Sequence, residues 1–139
     1  MKQSAVGLIG IALMLAAAQV VADLQQDIAS RCRAHEGKHG SAAVKACMDQ
    51  DIAAAEALAK YPDTAEKTIL RCKTQLKYLG WARVKACTDQ NLEAKAALSG
   101  YPGKYKAAID GCQVRMGAFG WHLVKACTDR AIGSAKGTE

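Results

Sequence analysis

The chain has 139 residues, 19 Lys and Arg against 13 Asp and Glu, and six cysteines. That length fits one modest domain. The net charge of +6 is spread without a basic run, which gives no footing for nucleic-acid binding.

At the N-terminus, Lys2 precedes an apolar run over residues 5–18, and the small residues Val20 and Ala22 follow. This is the pattern of a cleaved secretory signal peptide over residues 1–22. The apolar core is shorter than the roughly 20 residues of a membrane helix, so no membrane span is expected after cleavage. Lys2 is the only charged residue removed, so the net charge falls from +6 to +5. Residues 23–139 are expected to form a single all-α helical-repeat domain. The Ala-rich leader and the small mature chain suggest a periplasmic or secreted protein.

The rest of the chain repeats three times. Cys32 and Cys47 are 15 apart, as are Cys72 and Cys87, and Cys112 and Cys127; successive pairs are offset by 40. Gly40, Gly80 and Gly120 keep the same period, as do Val44, Val84 and Val124, Lys45, Lys85 and Lys125, and Asp49, Asp89 and Asp129. Tyr61-Pro62 recurs as Tyr101-Pro102, and Trp81 as Trp121, with Ser41 at that place in the first unit. Tandem units over 23–62, 63–102 and 103–139 follow. The motifs assign the chain to no family.

Each unit is predicted as helix, glycine turn, helix. Ala65, Ile69, Cys72, Leu76 and Leu79 fall on one helical face, and Tyr105, Ile109, Cys112, Met116 and Phe119 do the same in the third unit. The turn glycine suits a left-handed residue closing the first helix. The second helix carries Val84, Cys87, Leu92, Ala96 and Leu98, and stops before Tyr101-Pro102. Asp63 and Glu66 suggest a capping box for the next unit, and Asp23 with Gln26 one at the mature N-terminus.

The turn selects the disulfides. Cys72 lies eight residues before Gly80 and Cys87 seven after it. Each is therefore about 11–12 Å from the turn along its helix, and the two come level in an antiparallel hairpin. Repeat symmetry then picks Cys32–Cys47, Cys72–Cys87 and Cys112–Cys127. The expected fold is three tandem disulfide-stapled helical hairpins, six helices in all, as a short solenoid or a compact six-helix bundle.

Candidate functional residues are few. His35-Glu36-Gly37-Lys38-His39 matches H-E-x-x-H, which on a helix puts two imidazoles one turn apart for zinc. Gly37 and the approaching Gly40 speak against a metalloprotease. The polar face of a terminal repeat explains the segment better. His35 and His39 remain the residues that would chelate Zn²⁺, Cu²⁺ or Ni²⁺; otherwise no cofactor is expected. Lys45/Asp49 and their counterparts suit pairing along a helix, and Asp49 and Asp89 are placed to reach Arg31 and Arg71 across their hairpins. Trp81 and Trp121 are expected to pack between hairpins; exposed, they would be an interaction surface. The functional expectation is a non-enzymatic interaction module whose partner is a protein or an anionic envelope polymer. The alternatives are a carrier of a small apolar ligand and a metal-binding protein using His35 and His39. Non-reducing peptide mapping of the purified protein should recover Cys32 with Cys47, Cys72 with Cys87 and Cys112 with Cys127; a peptide joining two different units would overturn the hairpin architecture.

Overall fold

A computed structural model describes residues 7–136, with side chains from residue 21 to 134. Residues 1–6 of the expected leader lie outside the described residues. Among those described, six α-helices occur: α1 Gly7–Glu36, α2 Ser41–Leu58, α3 Glu66–Leu76, α4 Trp81–Ser99, α5 Lys106–Met116 and α6 Trp121–Lys136. None of the described residues forms a strand, so the protein is all-α as expected. None of the helices is long and apolar enough to cross a membrane, among the described residues. Two compact units emerge, residues 1–53 and 54–139. The first holds the hairpin of α1 and the body of α2. The second holds α3 with α4 and α5 with α6, and α4 also packs on α6.

Each hairpin turns in the same way. The first helix tightens into a 3₁₀ turn, at Gly37–His39, Lys77–Leu79 and Gly117–Phe119. A glycine with positive φ follows: Gly40 at 95°, Gly80 at 107° and Gly120 at 123°. Their ψ values of 171°, 164° and 161° differ from the left-handed helical conformation expected from sequence. They lie in an extended region that is essentially reserved for glycine. This conformation lets one residue serve both helices. Gly80 N–H donates to Lys77 O at 3.0 Å, while Gly80 O accepts Val84 N–H at 3.2 Å and opens α4.

The disulfides join Cys32–Cys47, Cys72–Cys87 and Cys112–Cys127, with Cα–Cα distances of 5.8, 5.8 and 5.7 Å. Cys32, Cys72 and Cys112 are fully buried. Each bond closes a loop that contributes about 3 kcal/mol on a chain-entropy basis. Around the second disulfide, Leu58, Cys72 and Val84 form a core joined by Tyr61, Ile69, Leu76 and Trp81. The residues 40 positions later, Leu98, Cys112 and Val124 with Tyr101, Ile109, Met116 and Trp121, form the next core.

Several sequence expectations change in detail. Leu79 and Phe119 are 42% and 57% exposed, off the apolar face assigned to them. The 3₁₀ turn advances each residue by a larger angle than an α-helix and swings them outward. The inward face of α4 is Val84, Thr88, Asn91, Ala94 and Leu98; Ala96 is exposed. Thr88 and Asn91 are buried because their side chains bond the α4 backbone, Thr88 to Val84 O at 2.9 Å and Asn91 to Cys87 O at 2.8 Å. An apolar-only pattern misses them. No capping box forms at Asp63–Glu66. Residues Asp63–Ala65 make a 3₁₀ turn begun by Ala65 N–H to Pro62 O at 2.8 Å, so no side chain caps the start of α3. Asp23 lies inside α1 and does not cap a helix start.

The turn glycines differ in what surrounds them. A Cβ at Gly40 meets nothing within 4 Å, whereas one at Gly120 comes within 2.5 Å of Asn91 Oδ1. Gly40→Ala should cost only the backbone strain of about 1–3 kcal/mol. Gly120→Ala should lower the melting temperature further, by displacing Asn91. Thermal denaturation of the two oxidised variants checks this; equal losses would mean that Asn91 yields without cost.

Candidate functional site

The three Lys/Asp pairs predicted along the second helices form, Lys45–Asp49 at 2.5 Å, Lys85–Asp89 at 2.6 Å and Lys125–Asp129 at 2.7 Å. Two of them gain a third member. The Tyr61 hydroxyl donates to Asp89, and that of Tyr101 to Asp129. The lysines also sit over those rings, Lys85 at 5.9 Å from Tyr61 and Lys125 at 6.0 Å from Tyr101. The Tyr-Pro corner that ends one hairpin is thereby clasped to the second helix of the next. Position 21, 40 residues before Tyr61, is Val. Accordingly Lys45 and Asp49 are 76% and 60% exposed, against 35% and 36% for Lys85 and Asp89.

Arg31 does not reach Asp49 as the sequence suggested. It pairs at 2.5 Å with Asp51, which is buried, and approaches Cys32 and Cys47 Sγ at 3.2 and 3.3 Å. Asp49 is occupied by Lys45, and Asp89 by Lys85 and Tyr61, so the predicted Arg71–Asp89 bridge is also replaced. Position 91, the counterpart of Asp51, is Asn. Asn91 Oδ1 faces His122, accepting its backbone N–H at 3.4 Å and lying 3.2 Å from Nδ1. Arg71 therefore has no carboxylate at the place where Arg31 has one.

Arg71 instead lines a groove of about 380 Å³ between the α3–α4 and α5–α6 hairpins. Lys67 and Arg71, one turn apart on α3, and Lys95 on α4 supply three cations; no Asp or Glu lines it. Thr64, Thr68 and Gln113 add neutral hydrogen-bonding groups. Gly117, Ala118 and Trp121 complete the lining, and Lys95 Nζ stands 5.7 Å over the Trp121 ring. Trp121 is half-buried against the core around the third disulfide, and Trp81 against the core around the second, with Lys73 at 5.4 Å from its ring.

The chain matches no protein-family model, no curated protein and no solved structure. What it does must therefore come from its own chemistry.

Two further depressions flank α6. One of about 390 Å³ mixes signs, with Glu93, His122, Lys125 and Asp129. The other, about 360 Å³, is more apolar, with Tyr101, Pro102, Tyr105 and Ile132. His35 and His39 are both exposed. α1 ends at Glu36 and Gly37–His39 is a 3₁₀ turn, so the two imidazoles are not one α-helical turn apart. Among the described residues no three His, Cys, Asp or Glu side chains gather as a metal-binding group.

Sequence reasoning missed the cationic groove. The signal lay in differences between neighbouring hairpins. Lys67 has Ala107 as its counterpart and Lys95 has Ala55, while Gly117 and Ala118 stand where Lys77 and Tyr78 stand in the preceding hairpin.

The clasps carry the pH dependence. Burial pushes the Asp89 carboxyl up, but hydrogen bonds from Lys85 and Tyr61 outweigh it and hold it below the usual range. Lys125 and Tyr101 hold Asp129 down in the same way. The Tyr61 and Tyr101 hydroxyls are raised, chiefly by the carboxylates that accept their protons. A lowered carboxylate stabilises the fold at neutral pH and loses that contribution as pH falls through its folded pKa, below about 4. A raised phenol loses its contribution as pH rises beyond about 10. Solvent exposure keeps both effects small. The double variant Tyr61→Phe with Tyr101→Phe should melt about 3–5 °C lower at pH 7 and lose less stability between pH 5 and pH 2 than the parent chain. Melting curves across that range check it; parallel pH profiles would remove the clasps from the account.

Proposed function

We propose that the protein is exported, loses residues 1–22, and acts as a non-enzymatic helical-repeat binding module in the periplasm or outside the cell. The observation that carries this reading is the groove of Lys67, Arg71, Lys95 and Trp121, a concave site whose cations have no lining carboxylate. Three disulfides in a small chain suit an oxidising compartment. An anionic partner agrees with the mature charge of +5.

Native mass spectrometry of the protein purified from its own export compartment tests this. The expected species begins at Asp23, is six hydrogens lighter than the fully reduced chain, and carries a bound anionic molecule or partner. A chain retaining residues 1–22, or one carrying a stoichiometric metal ion, would overturn the reading.

A further inference from the structure

We propose that the groove between the second and third hairpins is a specific site for a small ligand bearing a phosphate or sulfate group. The proposal rests on the binding-module reading and names its ligand class. Three observations converge on it. Lys67 and Arg71 are like charges one turn apart, an arrangement that destabilises a helix unless a counter-charge is present. Lys95 adds a third cation from α4. Among the described residues no carboxylate pairs with Lys67, Arg71 or Lys95.

Several of these features differ between the hairpins. In the first hairpin Arg31 is held by Asp51 at 2.5 Å. In the second, Asn91 takes the place of that Asp and turns to Cys87 O and His122, which leaves the Arg71 guanidinium to the groove. Gly117 and Ala118 stand where the preceding hairpin has Lys77 and Tyr78, and they place less bulk along the groove.

The chemistry selects the ligand. A guanidinium fork binds two oxygens of one oxyanion, and two ammonium groups complete the neutralisation of a doubly charged group. Thr64, Thr68 and Gln113 supply neutral hydrogen bonds to the remaining oxygens. The cation–π contact holds the Lys95 head over Trp121, so the indole edge is left to meet the uncharged part of an ester. A volume of about 380 Å³ accommodates a phosphorylated or sulfated monosaccharide and excludes a folded polymer.

Isothermal titration of the full oxidised chain with inorganic pyrophosphate, glucose 6-phosphate and glucose 6-sulfate tests the site. One-to-one saturable binding of at least one probe is expected, and its identity separates a free oxyanion from an ester. Arg71→Gln and Lys95→Gln should each weaken it about tenfold. Lys106→Gln, the same charge change outside the groove, should leave it within about twofold. Ala118→Tyr restores the bulk of the preceding hairpin without changing charge, and it should also abolish binding. No saturable binding by any probe, or equal weakening by Lys106→Gln, would overturn the proposal. A native adduct that survives in Arg71→Gln and Ala118→Tyr would overturn it too, while leaving the binding-module reading standing.

Discussion

Every hairpin is fixed in register at two points, a glycine turn and a disulfide about two helical turns beyond it. The turn uses a backbone conformation open in practice only to glycine, and in it one residue ends a 3₁₀ turn and begins an α-helix. That sets where the two helices start relative to each other. The cysteines, eight residues before the glycine and seven after it, then come level and close at a Cα separation near 5.8 Å. Everything else depends on this register. Without it Val84 would not meet Cys72 and Leu58, nor Val124 meet Cys112 and Leu98. The cores are small, and large aromatic side chains contribute from their edges. Covalent closure therefore supplies a share of stability that a larger core would otherwise provide.

Between hairpins of the second unit, polar contacts take over. The Tyr–Asp–Lys clasps join a Tyr-Pro corner to the following hairpin, and Asn91 joins α4 to the start of α6 through His122. Each is satisfied on several sides, which allows Asn91 and Thr88 to sit within an otherwise apolar face. The position shared by Asp51 and Asn91 shows how one substitution redirects a neighbour. With Asp it absorbs an arginine into an ion pair; with Asn it bonds the backbone, and Arg71 lines the groove. A buried Asp without its arginine would be costly, so the pair in the first hairpin persists as a unit. The Asn carries no such obligation.

The repeat pattern in the amino-acid sequence determined the helical class, the three hairpins, the disulfide pairing and the Lys–Asp pairs along the second helices. These follow from spacing along single helices and across one short turn, where geometry is nearly fixed by residue number. Tertiary structure decided what lay beyond that range. Leu79 and Phe119 left the core because the helix tightened before its glycine, and Thr88 and Asn91 entered it because local hydrogen bonds satisfied them. The choice of Asp51 by Arg31 and the approach of Lys67 and Arg71 on α3 to Lys95 on α4 depended on how the two helices of one hairpin pack, while the clasps over 28 residues of sequence and the closing of the groove by Gln113 and Trp121 required a neighbouring hairpin. Periodicity says which side of a helix faces inward, but the angle between packed helices decides which outward-facing side chains converge.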